Sequence, residues 1–153
     1  MKNRKGLTIL ELLAVIIILG ILMTLAYAGV SRYLSQARTA TYQDFEKSIT
    51  SGVTNYLIEN SGSIPDKGES LIVDVSKLVC DGYVESLRDP IKTDQTCNLE
   101  SYAIVTRKED SASGNMDIEY SACLKCSNYE SEACSNSIAG IKRLTKDSDC
   151  EVK

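Results

Sequence analysis

Lys5-Gly6-Leu7-Thr8-Ile9-Leu10-Glu11-Leu12-Leu13 opens an apolar run that continues to Val30 and is interrupted by a single charge, Glu11. The other polar side chains in the run are Thr8, Thr24 and Tyr27. A carboxylate in hydrocarbon costs roughly 2.5 to 3.5 kcal/mol on insertion scales, so it needs a partner or a purpose. Leu12 to Val30 carries no charge. As a helix this stretch measures about 28 Å, which matches the hydrocarbon thickness of a bilayer. Lys2, Arg4 and Lys5 precede it and the first charge beyond it is Arg32. That asymmetry keeps the cationic end in the cytoplasm and places the rest of the chain outside.

Three readings of this opening compete. A secretory signal peptide is supported by Ala26-Tyr27-Ala28, a small-x-small pattern for cleavage before Gly29. An uncleaved anchor explains length and orientation. Neither gives Glu11 or Gly6 a role. The third reading takes the basic leader, the glycine, the glutamate five positions later and the apolar helix together. In that order they resemble the prepilin signal of type IV pilins and of the related pseudopilins of type II secretion systems.

The resemblance implies that a membrane prepilin peptidase and methyltransferase cuts after Gly6 and methylates the new amino terminus on Leu7. It implies assembly into a helical filament with Glu11 and Thr8 as assembly residues. Leu7 stands where the family most often has Phe, and Ala28 where many members carry a helix-kinking Pro. A bend or local melting would therefore use Gly20 or Gly29. The chemistry of Glu11 follows from electrostatics. Cutting after Gly6 creates a cation four residues before the carboxylate, and pairing the two offsets the desolvation cost of each. The partner amine belongs to the same helix or to a neighbouring subunit, where it would set the axial register.

The chain has 153 residues, so about 120 remain for a water-soluble domain. There is no Trp, one Phe (Phe45) and eight Tyr, so large aromatic burial cannot dominate its core. Six cysteines, Cys80, Cys97, Cys123, Cys126, Cys134 and Cys150, all follow the apolar segment. An even number in an exported chain reads as a disulfide framework. The chain contains no His, which excludes Ser-His and Cys-His triads. Net charge is −4, and loss of Lys2, Arg4 and Lys5 makes it −7. That balance argues against bulk electrostatic binding of a phosphate backbone and leaves nucleic acid an open partner through local basic patches.

Beyond the apolar run the periodicity changes. Val30, Tyr33, Leu34, Ala37, Thr41, Phe45, Ile49, Val53, Tyr56 and Leu57 recur at three- and four-residue steps, with charged residues between them. The first Pro is Pro65, so one helix is expected from about Thr8 to Asn60, the alternative being two helices broken at Gly29. Asn60 to Gly68 is dense in turn residues. Asp74 to Cys80 reads as a short helix leading into Gly82-Tyr83-Val84 and Asp89-Pro90. That succession is similar to the Gly-Tyr and Asp-Pro run linking helix to sheet in major pseudopilins and some Gram-positive pilins. Ser101 to Lys108 and Met116 to Leu124 read as strands of a hairpin around the loop Asp110 to Asn115.

Cys123-Leu124-Lys125-Cys126 admits a zinc reading with Cys134 and Cys150, but no second short pair is present. A thioredoxin-like site would open a helix, and this pair follows a strand. Three disulfides are expected instead. Residues 123 and 126 differ by an odd number, so a continuing strand points them to opposite faces and gives them separate partners. The expected pairing is Cys80 with Cys97, and Cys123 and Cys126 with Cys134 and Cys150 in either order. Asp74, Asp81 and Asp89 show no spacing that implies a paired acid and base, and loop carboxylates leave calcium undecided.

The expected fold is α+β and pilin-like. A long N-terminal helix, transmembrane then amphipathic, packs on a small antiparallel sheet with a disulfide-stapled C-terminal loop region. The expected organisation is a leader at 1–6, a transmembrane and filament-core helix at 7–30, and an extracytoplasmic globular domain at 31–153. The expected role is structural: a subunit of a type IV pilus or a type II secretion-like pseudopilus, not an enzyme, with no cofactor and no metal. The partners implied are copies of itself and other pilins, the peptidase, a membrane platform with its assembly ATPase, and the membrane before assembly. The alternative is a secreted, disulfide-stapled binding module released after Ala28.

Overall fold

The computed structural model describes residues 8–108, 117–148 and 150. Helix α1 runs Ile9–Glu59 without interruption. Its 51 residues pass through Gly20, Gly29 and Gly52, so the reading of two helices broken at Gly29 is not what forms. The chain divides into two compact units, one ending at Thr39 and the other beginning at Ala40. In the first, the apolar side chains from Ile9 to Leu34 are exposed wherever described. This stretch is long and apolar enough to cross a membrane.

In the second unit α1 buries Tyr42, Ile49, Val53, Tyr56 and Leu57. These lie at helical spacing on one face. The expected stripe was longer, from Val30 to Leu57. Val30, Tyr33 and Leu34 are about half exposed or more, and Tyr42 rather than Thr41 is the buried position at the start of the packed face. Tyr42 is buried because its ring stacks on Tyr129 at 4.2 Å between centroids and 7° between planes. Such a contact across 87 positions is invisible to a helical periodicity.

A 3₁₀ turn at Ser61–Ser63 follows α1, then β1 (Ser70–Asp74), α2 (Val75–Cys80), β2 (Tyr102–Arg107) and β3 (Ile118–Cys123). A two-stranded ladder of β4 (Lys125–Cys126) and β5 (Tyr129–Glu130), a second 3₁₀ turn at Glu132–Ser135 and β6 (Lys142–Leu144) complete the unit. The main sheet has the order β3-β2-β1-β6. Strands β1, β2 and β3 pair antiparallel, with Ile72 opposite Ile104 and Ile104 opposite Ser121. Strand β6 lies parallel to β1, Ile72 opposite Arg143. The sheet is thus mixed, and the purely antiparallel expectation is corrected by β6. The expected loop Asp110 to Asn115 lies outside the described residues.

Both faces of the sheet are covered, which explains why β1 escapes a period-two reading. Leu71, Val73, Ala103, Val105 and Ala122 pack with the α1 residues. Ile72, Tyr102, Ile104 and Cys123 face the other way, against Cys134, Ile138 and Ile141. A strand buried on both sides reads as a continuous apolar run, here Leu71-Ile72-Val73, not as an alternation.

Helix α2 ends in a Schellman motif. Gly82 is left-handed at φ 81°, the Tyr83 N–H donates to the Leu78 carbonyl at 2.8 Å, and the Gly82 N–H donates to the Val79 carbonyl at 3.2 Å. The turn sends Tyr83 and Val84 back to α1. There they meet Gly52, whose added Cβ would lie 2.2 Å from the Val84 Cγ2 and 3.1 Å from the Tyr83 carbonyl oxygen. Ala normally stabilises a helix interior relative to Gly by roughly 0.5 to 1 kcal/mol. At this position Gly52→Ala is expected to destabilise by about 1 to 3 kcal/mol, because Val84 is buried, β-branched and unable to move aside. Urea denaturation of the full chain in detergent measures it; a variant more stable than the parent would mean that α1 and the Gly82 turn are not in this contact.

Candidate processing and assembly site

The N-terminus of α1 is closed by two side chains. The Thr8 N–H donates to Glu11 Oε2 at 3.2 Å and the Thr8 hydroxyl donates to the same oxygen at 3.4 Å. In return the Glu11 N–H donates to Thr8 Oγ1 at 3.3 Å. The first helical bond follows, from the Leu12 N–H to the Thr8 carbonyl at 3.1 Å. This is a capping box: the N-cap hydroxyl satisfies an orphan N–H in the first turn, and the glutamate three residues on reaches back to the N-cap N–H. The carboxylate also sits at the positive end of the helix dipole. Glu11 therefore has an intrachain partner in Thr8. Gly6 and Leu7 lie outside the described residues, so Thr8 and Glu11 are the members of the expected constellation that the structure brings together.

The capping box is also a sequence signature, Thr8-x-x-Glu11, and it assigns Thr8 a role that the apolar pattern alone did not. The next polar side chain, Thr24, donates its hydroxyl to the Ile21 carbonyl at 2.7 Å, which satisfies it within the helix.

Residues 1–27 match the model of the prokaryotic N-terminal methylation motif. They are a prepilin signal. No curated protein and no solved structure matches the chain. The signal is that of type IV pilins and pseudopilins, a family of structural subunits, not catalysts. The helix and sheet behind it fit a pilin-like α+β fold. The prepilin signal and its apolar helix fit a single-pass membrane precursor.

In the second unit all six cysteines are in disulfides: Cys80–Cys150, Cys97–Cys126 and Cys123–Cys134. The expected Cys80–Cys97 bond is corrected, and so is the pairing of Cys126 with Cys134 or Cys150; of the expected pairings Cys123–Cys134 is the one that forms. Cys97 is carried away from α2 because its N–H donates to the Leu87 carbonyl at 2.8 Å, and the Ser101 hydroxyl that bonds the Cys97 carbonyl also accepts the Lys125 N–H at 2.9 Å. That lays residues 97–101 beside β4 and presents Cys97 to Cys126. Cys80, at the end of α2, meets the C-terminal segment, where Lys77 contacts Asp147 and the Lys146 amine bonds the Cys150 carbonyl. The separate partners expected for Cys123 and Cys126 are found, although the strand does not continue between them: β3 ends at Cys123 and Cys126 lies in the β4–β5 ladder. Cys123 packs with the cluster around Ile72 and Cys126 against the cluster around Ile49. Asp89, Cys97 and Cys126 crowd together, but the two sulfurs are bonded to each other, which leaves no thiolate for zinc.

The three carboxylates Asp74, Asp81 and Asp89 have structural partners. Asp74 receives Arg143 Nε and Nη2, each at 2.7 Å. Asp81 holds Lys77 at 3.0 Å. Asp89 is buried, at 1 % exposure, and is the hub of the unit. It accepts from the Ile91 N–H at 2.7 Å, the Lys92 N–H at 3.3 Å, the Ser127 N–H at 3.0 Å, the Ser127 hydroxyl, and the Tyr42 hydroxyl at 3.4 Å. One carboxylate thereby joins α1, the Pro90 turn and the β4–β5 turn. Burial pushes the Asp89 carboxyl up, but the donated hydrogen bonds from Ser127, Ile91 and Lys92 outweigh it and hold it at about 2.

The sign of the resulting pH dependence follows from linkage. A carboxyl lowered on folding contributes stability in full above its unfolded value, about 3.9, and that contribution drains as the pH falls toward the folded value. Stability of the full chain in detergent is therefore expected to decline between about pH 4 and pH 2. Asp89→Asn should flatten that part of the profile in chemical denaturation; an unchanged slope would remove Asp89 from the acid response.

Proposed function

We propose that this chain is the precursor of a filament subunit of a type IV pilus or a type II secretion-like pseudopilus. Residues 1–6 are the leader, 7–30 the membrane and then filament-core helix, and 31–153 the extracytoplasmic domain. Prepilin peptidase cuts after Gly6 and the new amino group is methylated on Leu7. The platform and its ATPase then draw the helix from the bilayer into a bundle of its own kind and other pilins. The observation that supports this best is the methylation motif at residues 1–27 leading without a break into a 51-residue helix.

Glu11 is the assembly residue and Thr8 its positioning partner. In the precursor the capping box supplies the carboxylate with local donors. The capping-box bonds use Oε2, and the carboxylate pairs with the methylated amine of an adjacent copy once cleavage has made it. Hydrocarbon-to-protein transfer of an apolar helix gains little hydrophobic energy, so packing and this charge pair carry the association. Processing would thus create the cation that assembly requires.

Release of a secreted module after Ala28 would cut α1 within its helical run and discard the capping box. The mature amino terminus separates the two readings, measured by mass spectrometry of the protein from its own cells. The expected result is N-methyl-Leu7. A terminus at Gly29 would establish the secreted module, and an intact Met1 a simple anchor.

A further inference from the structure

None of the three disulfides joins cysteines that are consecutive in the chain. In chain order the bonds are first to sixth, second to fourth and third to fifth. The Cys97–Cys126 and Cys123–Cys134 rings also interleave, each containing one cysteine of the other. With the domain leaving the membrane amino end first, as in the topology proposed above and on which this point rests, Cys80 emerges earliest and its partner Cys150 last.

Loop closure makes the wrong bonds the faster ones. Cys97 lies 17 positions after Cys80, whereas Cys150 lies 70 positions after it. With a closure probability falling as the three-halves power of loop length, Cys80–Cys97 is favoured over Cys80–Cys150 by about eightfold while the chain is still unfolded. Cys123–Cys126, three positions apart, competes in the same way with both native bonds of that pair. In the native fold Cys123 is fully buried and Cys97 is 2 % exposed, so exchange has to be completed before these sulfurs are enclosed. Exchange requires an accessible sulfur.

From this connectivity we infer that the chain is a substrate of a thiol–disulfide isomerase in the extracytoplasmic compartment, in addition to a thiol oxidase that supplies its bonds. The oxidase, a disulfide donor, takes six electrons and six protons from six thiols. The isomerase then acts without net oxidation. Starting from the consecutive set, its thiolate attacks the Cys80 sulfur, forms a mixed disulfide and releases the Cys97 thiolate. Cys97 attacks Cys126 and releases Cys123; Cys123 attacks Cys134 and releases Cys150. Cys150 then attacks the mixed disulfide at Cys80 and frees the enzyme. Each of the four exchanges breaks one S–S bond and forms one. The last three form the three native bonds.

The test is oxidative refolding of the full chain in detergent. Reduced, denatured protein is returned to native buffer with diamide, an oxidant that carries no thiol, and its bonds are mapped by peptide mass spectrometry. Cys80–Cys97 is expected to exceed Cys80–Cys150 by about eightfold. Addition of reduced protein disulfide isomerase should then convert the mixture to the three native bonds, whereas isomerase with alkylated active-site cysteines should not. Native pairing as the main product of the diamide arm, or equal conversion by the alkylated enzyme, would overturn the inference. These arms involve no membrane export, so they bear on pairing alone. The topology is read separately, by labelling engineered cysteines in intact cells.

Discussion

Glu11→Val is expected to insert and to be cleaved after Gly6, yet to lower filament yield at least about tenfold. The loss of one charge-assisted contact, about 1.5 to 3 kcal/mol, corresponds to a factor of ten or more at each subunit addition. The valine variant alone would not separate the two roles assigned to this carboxylate, because it also removes the capping box. Two companions do. Glu11→Gln keeps an acceptor that can reach back to the Thr8 N–H and removes only the charge, so it should assemble about as poorly as the valine variant. Thr8→Ala removes the cap, at about 1 kcal/mol, and keeps the charge, so it should assemble far better. Sheared filaments quantified against total processed subunit provide the measurement. Normal assembly of Glu11→Gln would show that the helix cap, and not the ion pair, is what assembly needs.

The second large effect is expected at Asp89. Asp89→Ala should lower the unfolding free energy of the full chain in detergent by about 3 kcal/mol or more. The substitution removes the acceptor of the Ile91, Lys92 and Ser127 N–H groups, and hydrogen bonds to a charged acceptor contribute about 1.5 to 3 kcal/mol each. It also removes one of the ties between α1 and the β4–β5 turn, because Tyr42 and Ser127 meet at this carboxylate. Asp89→Asn retains one acceptor oxygen and should cost less. Urea midpoints of the three proteins, compared at pH 7, are the readout; an alanine variant within about 0.5 kcal/mol of the parent, the range of an ordinary surface substitution, would exclude the hub.

Much of this molecule is local, and what is local was readable. The prepilin signal needs a basic leader, Gly6, Glu11 and an apolar helix in one order, all within the 27 residues that match the methylation motif. Helix α1 follows from three- and four-residue spacing and the absence of Pro before Pro65, and its observed bounds, Ile9–Glu59, lie one residue inside the expected ones. Strands β2 and β3 alternate enough to be placed within two residues of their ends. The capping box was equally local, a Thr8-x-x-Glu11 spacing that is easily hidden when the same glutamate is weighed only for its membrane cost.

The remainder depended on contacts between distant residues. Strand β1 is buried on both faces, so it carries no alternation, and β6 has three residues and only β1 to define it. Asp89 looked like one more loop carboxylate beside a proline; its importance comes from Tyr42 and Ser127, 47 positions before it and 38 after. The cysteines show the division most clearly. That Cys123 and Cys126 take separate partners is expected from strand period, though β3 ends at Cys123 and Cys126 belongs to the β4–β5 ladder. The number of cysteines and their being bonded follow from composition. Their pairing does not, because loop entropy favours the nearest sulfur while Ser101, Leu87 and the sheet carry Cys97 to Cys126 and leave Cys80 for Cys150. Short-range pattern sets which elements form and which faces they bury. Which sulfurs meet is decided only when those faces close on one another.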